Sequence, residues 1–216
     1  SAALAEVANG RLTIWSHTQG VFPLQSSVAE LFGLPKEAVR VVHVRGAGCY
    51  GHNGADDAAV DAALVARALP GKRVLLKWSR EDEHAWEPYT PAMMVHMQAS
   101  VTADGEVLDW RHDTMGDTHN ARPRTGPNRI GPARLLSAVH ITDAESPYVP
   151  SPSMGRHAGL HRNADPLYSF ARRSIGKHLV SDLPLRTSAM RTLGAFANVF
   201  AIESFMDEIA VRLRAD

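Results

Sequence analysis

The spacing of hydrophobic positions changes repeatedly along residues 1–115, which predicts strands interleaved with helices. Short runs rich in β-branched, leucine or aromatic residues predict strands at 11–17, 39–44 and 73–78, the last continuous enough to indicate a buried strand. Helical spacing marks 23–32 and the alanine-rich segment 56–69, which Asp56 would cap. We therefore expect an α/β (α+β) fold in which helices pack on a mixed sheet.

The second half of the chain has two regular parts. Asp104-Gly105 separates strand-like runs at 92–102 and 106–114, the pattern of an antiparallel hairpin. Residues 177–180 predict a short strand and 193–214 a long helix. The positions of this helix expected to face a core are Val199, Ile202, Met206 and Ile209, with Phe196, Phe200 and Phe205 beside them.

Between these parts, residues 116–166 show no periodicity and contain many prolines. They could form a long surface excursion, or a segment that wraps a partner or larger body. We expect 1–216 to form a single domain with this excursion.

Composition narrows the function classes. Lys plus Arg and Asp plus Glu both number 23, so a zero net charge argues against nonspecific nucleic-acid binding. No apolar run reaches the ~18 residues of a membrane span, and residues 1–20 do not read as a signal peptide. The single cysteine, Cys49, excludes internal disulfides and cysteine-held iron–sulfur clusters.

The sharpest local motif is a glycine loop at residues 46–51, which matches G-x-G-x-x-G between a strand and a helix. The loop could bind NAD(P) or another phosphate-bearing cofactor, or it could be a plain turn that binds no ligand. Against a dinucleotide site, Asp56 and Asp57 would repel pyrophosphate, and His52-Asn53-Gly54 separates the loop from the helix.

Three weaker candidates accompany the loop. Cys49 could be a nucleophile with His52 as its base. A metal could bind the group formed by Asp113, Asp117 and His119. Arg191 precedes the last helix, where a cation is unfavourable unless it meets an anion.

Three stretches together resemble one family. They are 15–20 (Trp-Ser-His-Thr-Gln-Gly), 46–57 with 77–83, and 185–194 with the helix that follows. In this order they are similar to the molybdopterin-binding large subunit of the molybdenum hydroxylases, the xanthine dehydrogenase and aldehyde oxidase superfamily. Within it they are most similar to the isoquinoline 1-oxidoreductase β-subunit and nicotinate dehydrogenase branch. The resemblance implies a fold like the molybdopterin-binding domain.

The resemblance also implies roles for individual residues. Gln19 would hydrogen-bond an oxo group on molybdenum, the glycine loop would lie against the cofactor, and Arg191 would bracket the metal site. Cys49 and Asn53 would lie near substrate, and Asn53 replaces a glutamate that recognises purines in xanthine dehydrogenases. The implied cofactor-binding residues are Gln19, Gly48, Cys49, Tyr50, Gly51 and Arg191, with no direct metal ligand.

The implied parent enzyme uses molybdopterin, as its cytosine dinucleotide in many bacteria, to hydroxylate an N-heteroaromatic or aldehyde with oxygen from water. Its catalytic glutamate follows a Gly-x-Gly motif that this chain lacks, so the chain resembles an excised domain, about a third of a subunit, without catalytic residues. We expect it alone to be inactive and without cofactor, and to need the other domains and a separate 2Fe–2S subunit. A cytoplasmic or periplasmic location, a dehydrogenase domain and a non-catalytic assembly module stay open.

Overall fold

The computed structural model describes residues 1–48, 50–117, 119, 136–137, 141, 159–180 and 184–215. The chain divides into two compact units. The first comprises Ser1–Tyr89 with Ala121–Ser151, and the second Thr90–Asn120 with Pro152–Asp216. The single domain predicted from the sequence stays a prediction. Most of the predicted excursion at 116–166 lies outside the described residues.

The first unit holds a mixed four-stranded sheet in the order β3-β2-β1-β4. Strand β2 runs parallel to β3 and antiparallel to β1, and β1 also pairs antiparallel with β4. The elements are β1 (Ala2–Ala8), β2 (Arg11–Ser16), α1 (Val21–Leu31), β3 (Val39–His43), α2 (Ala55–Ala68), β4 (Arg73–Lys77) and α3 (Arg80–Trp86).

Small side chains form the contact between the sheet and α2. Ala3 and Ala5 of β1 are buried, and α2 buries an alanine face against the same core. Alanine on both sides lets the helix backbone approach the sheet closely, and larger residues from β2, β3 and α1 fill the remaining space. The buried alanines of α2 in this core are Ala59, Ala62, Ala63 and Ala66.

The second unit holds a three-stranded sheet in the order β5-β6-β7 and the last helix. Strands β5 (Met93–Val101) and β6 (Val107–Gly116) form the predicted antiparallel hairpin, and β7 (Arg172–Leu179) runs parallel to β6. The fully buried Trp110 stacks on Phe170 with ring centroids 4.6 Å apart. Helix α4 (Ala195–Leu213) packs against β5.

The structure corrects several expectations. Strand β1 does not follow from the sequence pattern, and the short strand at 177–180 is the end of the longer β7. Strand β4 is an edge strand rather than a buried one, and its Leu75 is exposed. On α4, Ile202 faces the core as predicted, but Val199, Phe196 and Phe200 are exposed. The apolar face of α4 is therefore wider than the surface it buries in this unit.

Candidate functional site

Two loops begin side by side at one edge of the first sheet. Ser16 at the end of β2 lies opposite His43 at the end of the parallel strand β3, and the Val44 amide donates to the Ser16 carbonyl at 3.0 Å. The segment 17–20 leaves the sheet after β2, and the glycine loop leaves it after β3. Ligand sites form at the carboxyl ends of parallel strands, so this edge is the candidate site.

His17 and His43 hold the two loops in contact. A Cβ added to Gly46 would lie 2.8 Å from the Cβ of His17, so only glycine fits at this approach. Nδ1 of His43 lies 3.1 Å from the Thr18 carbonyl oxygen. Burial lowers the pKa of His17, which favours the neutral ring at this contact.

The glycine loop has a backbone that residues with a Cβ rarely adopt. Gly48 and Gly51 have φ values of +138° and +107°, and Tyr50 between them has a φ of +47°. Residues 44–47 and Tyr50 are exposed, so the loop offers its backbone to a ligand. The predicted site residue Cys49 lies outside the described residues.

Gln19 lies at the same edge, and its exposure contrasts with that of its neighbour. Thr18 is fully buried, whereas Gln19 is exposed. Gln19 and the glycine loop thus follow the carboxyl ends of the paired strands β2 and β3 in the first unit, and the cofactor-binding roles of Gln19, Gly48, Tyr50 and Gly51 stay predictions.

Helix α2 begins differently from the prediction. Its N-cap is Gly54, not Asp56, and the Oδ1 atom of Asn53 accepts a hydrogen bond from the Ala55 amide at 3.0 Å. Asp56 and Asp57 occupy the first turn, where acids suit the helix dipole, and both carboxylates are buried. They therefore point into the unit rather than lining the exposed loop.

Arg191 belongs to the second unit. Its side chain is exposed in the turn 191–194, directly before α4. Thr192 and Leu193 both have positive φ values, 69° and 56°, and the Gly194 amide donates to the Gly159 carbonyl at 3.0 Å. A Cβ at Gly194 would clash with the Leu160 carbonyl oxygen, so close packing against residues 159–160 fixes this turn.

The described residues do not form the alternative metal site. No group of three or more His, Cys, Asp or Glu side chains among them could hold a metal ion. Asp113 instead contacts Arg111 at 2.6 Å and His178 at 3.1 Å, and Asp117 accepts a hydrogen bond from the Thr187 hydroxyl at 2.9 Å.

The sequence pattern alone does not assign the residues that support Gln19. They include His17 and Thr18, which lie within the quoted stretch 15–20, and Asp56, which the pattern predicts only as a cap. The signal that could have found them is the polar cluster at a strand end, where an apolar strand gives way to Ser-His-Thr-Gln.

Comparison with known sequences decides the family. The family model described as the molybdopterin cofactor-binding domain matches residues 1–129. The chain belongs to this family. A nicotinate dehydrogenase subunit of Pseudomonas putida is 31% identical over 216 residues, covering 100% of this chain and 16% of that protein. The beta subunit of isoquinoline 1-oxidoreductase from Brevundimonas diminuta is 29% identical over 221 residues, covering 100% of this chain and 25% of that protein.

Solved structures support the same fold for this molybdopterin cofactor-binding domain. Quinoline 2-oxidoreductase from Pseudomonas putida 86 matches with a TM-score of 0.71 and 18% identity, over 100% of this chain and 24% of that chain. Aldehyde oxidoreductase from Desulfovibrio gigas matches with a TM-score of 0.68 and 19% identity, over 100% of this chain and 21% of that chain. The α/β fold with mixed sheets is thus confirmed, and so is the family inferred from the three stretches.

The comparisons also weigh the alternatives. They favour neither an NAD(P)-binding dehydrogenase domain nor a non-catalytic assembly module. The chain spans 16% and 25% of the two relatives, less than the third of a subunit expected from the sequence. In the described part of the chain, no helix combines the length and apolar character that crossing a membrane requires.

Proposed function

We propose that this domain supplies part of the molybdopterin site of an enzyme that hydroxylates an N-heteroaromatic or an aldehyde with oxygen from water. The observation that carries the proposal is the contact between the Gln19 segment and the glycine loop at the carboxyl ends of β2 and β3. In this arrangement the exposed Gln19 lies in the segment that contacts the glycine loop, and Gly48 and Gly51 of that loop have φ values that favour glycine.

The residues present fit such a cofactor. The Gly46 position has no room for a Cβ, and Gly48 and Gly51 let backbone atoms approach a flat or phosphate-bearing group. Gln19 supplies an amide that can donate or accept a hydrogen bond. When bound, the cofactor supplies the redox chemistry of the hydroxylation, while the protein supplies binding and orientation.

We also propose Arg191, in the second unit, as a cofactor-binding residue. It precedes the N-terminus of α4, where the helix dipole opposes a cation, so an anionic cofactor group would stabilise it there. The packing of Gly194 fixes the turn that carries Arg191, so the backbone position from which the side chain extends is defined.

The proposed substrate class is supported by the names of the relatives, and two positions of this domain are proposed to lie near the substrate. The names of the relatives refer to nicotinate and isoquinoline, both N-heteroaromatic. We propose Cys49 and Asn53 as the substrate-proximal positions of this domain. The Asn53 side chain also accepts a hydrogen bond from the Ala55 amide, and this bond fixes its orientation at the start of α2. The proton-transfer glutamate would come from outside residues 1–216, so we assign no catalytic residue here.

We further propose the cytosine dinucleotide form of the cofactor and a separate 2Fe–2S subunit as electron acceptor. The single cysteine of residues 1–216 cannot hold an iron–sulfur cluster, so electrons would leave through a cluster outside this domain. Both relatives are named as subunits of their enzymes, which supports a multi-chain enzyme here.

The experiment that tests this function uses the full-length enzyme, purified with its partners from the native organism. We expect acid treatment to release cytidine monophosphate. We also expect turnover in ¹⁸O-labelled water, with a dye as the electron acceptor, to place the label in hydroxylated nicotinate, in hydroxylated quinoline or in the benzoate formed from benzaldehyde. The control is the same enzyme purified from cells grown without molybdate. Label derived from dioxygen, or activity that depends on added NAD(P) alone, would contradict the proposal.

A further inference from the structure

A buried polar cluster lies beneath the proposed site in the first unit. Its side chains come from the end of β2 and from the start of α2, and each is exposed by 2% or less. Polar groups buried this deeply cost free energy unless they are hydrogen-bonded. The members are Ser16, Thr18, His52, Asp56 and Asp57.

Within this cluster, Asp56 forms a hydrogen bond with Thr18, and Thr18 forms one with the backbone of Gly20, the residue that follows Gln19. The Thr18 hydroxyl donates to Oδ1 of Asp56. Because the one hydroxyl proton is used there, the oxygen of Thr18 accepts, and it does so from the Gly20 amide at 3.0 Å. Both neighbours of Gln19 are therefore tied to the first turn of α2.

A second set of contacts fixes the same segment. The Thr18 amide donates to Oγ of Ser16 at 3.2 Å, and that hydroxyl donates to the Ala55 carbonyl at 3.3 Å. The segment thus reaches α2 at two successive residues, Ala55 and Asp56. Gln19 is the exposed residue of the segment 17–20.

The ring of His52 lies near the carboxylates of both Asp56 and Asp57. Nε2 of His52 lies 3.7 Å from Oδ2 of Asp56 and 3.8 Å from Oδ2 of Asp57, and Oδ1 of Asp57 accepts the Leu136 amide at 2.8 Å. A buried carboxylate is costly even when paired, and alanine fills most other buried positions of α2. Core packing alone therefore does not explain an aspartate at 56.

We propose that Asp56 is a positioning residue for Gln19, acting through the Thr18 hydroxyl to hold the turn 17–20 against the glycine loop. This inference rests on the proposed function, since it gives the buried carboxylate a role in presenting the Gln19 amide to the cofactor. Asp56 acts only through Thr18 and the backbone, and it does not itself touch the cofactor.

The test combines local hydrogen exchange with metal content in the full-length enzyme. Exchange at the Gly20 amide is resolved by electron-transfer fragmentation, and exchange at Ala5, in the central strand β1, reports the fold. We expect Thr18→Val and Asp56→Ala each to raise exchange at Gly20 by about tenfold, with Ala5 unchanged, and to lower the molybdenum content. Thr18→Ser and Asp56→Asn retain the donor and an acceptor oxygen and should stay near wild type.

The outcomes separate this inference from the proposed function. Wild-type exchange at Gly20 in Asp56→Ala, or an equal rise at Gly20 and Ala5, would overturn the positioning role even if the enzyme holds molybdenum. A wild-type enzyme without molybdenum would overturn the proposed function, while exchange at Gly20 still decides whether Asp56 holds the turn. Thr18→Val removes the same contact if Asp56→Ala does not fold.

Discussion

Asn198 on α4 and His112 on β6 are both fully buried, and the amide oxygen of Asn198 lies 3.0 Å from Nε2 of His112. The amide nitrogen of Asn198 donates to the carbonyls of Leu160 and Arg162, at 2.9 and 3.0 Å. Its oxygen is therefore the acceptor for His112, whose Nε2 carries the proton. One side chain thus joins α4, β6 and the turn after residue 159.

This relationship predicts a large effect of Asn198→Leu. The substitution would remove the partner of the buried Leu160 carbonyl, of the partly buried Arg162 carbonyl and of one ring N–H, so the free energy of unfolding should fall by about 3 kcal/mol. Asp207→Ala, at an exposed position of α4, is the matched control and should change it by less than about 0.5 kcal/mol. Denaturant titration measures both, and equal effects would show that the Asn198 contacts contribute little.

A second prediction concerns pH. Burial lowers the pKa of the fully buried His119 to about 4, with the Asp117 carboxylate acting in the opposite direction. At a pH between the pKa of the unfolded state, near 6.5, and the pKa of about 4 in the folded state, the unfolded chain binds more protons than the folded chain. The stabilisation is complete above about pH 6.5 and is lost as the pH falls towards 4, by about 3 kcal/mol.

The test of this pH dependence is His119→Gln, which should flatten the stability profile between pH 4 and 6.5. Burial also lowers the pKa of His112, so a smaller slope of the same sign should remain. His96→Gln, at an exposed position of β5, should retain the full slope. An unchanged slope in His119→Gln would contradict the assignment.

Much of the fold could be predicted because local patterns and tertiary structure agree. The Asp104-Gly105 hairpin, both strands of the β2–β3 pair, and the three longer helices follow from turn residues and periodicity. Strand β1 could not, because its sequence Ala-Ala-Leu-Ala-Glu-Val-Ala favours a helix locally. It becomes a strand because β2 and β4 pair with it on both sides and α2 needs small residues beneath it.

The site was only partly predictable for a related reason. The exposed residues Gln19 and Tyr50 belong to motifs that can be read along the chain. The supporting contacts join residues far apart, such as Thr18 with Asp56, and no local pattern encodes that pairing. The sequence predicts Asp56 as a helix cap because acids favour helix N-termini, and its burial depends on where β2 ends.

The contact between the two loops predicts the effect of Gly46→Ala. The new Cβ would lie 2.8 Å from the Cβ of His17, an atom that cannot rotate away, so the glycine loop must move from the Gln19 segment. We expect molybdenum content to fall several-fold while the unit stays folded. Ala68→Ser adds an atom at an exposed position near the end of α2, outside the glycine loop, and serves as the control. Equal molybdenum contents in the two variants would argue against the loop contact.

Gln19→Ala isolates the amide itself. Gln19 is exposed, so its removal should change the free energy of unfolding by less than about 0.5 kcal/mol. Hydroxylation activity should fall by about tenfold or more, as expected for the loss of one functional hydrogen bond. Gln98→Ala, an exposed glutamine on β5, is the control and should retain activity. The role of Gln19 would be refuted if both variants were equally active.

The measurement that tests the central claim most directly is the molybdenum and iron content of the full-length enzyme, purified through a tag on its chromosomal gene. We expect about one molybdenum per large subunit, with iron in pairs on a co-purifying small subunit. We also expect Gly46→Ala to lower the molybdenum and leave the iron unchanged. A wild-type enzyme that contains no molybdenum would contradict the proposed cofactor site.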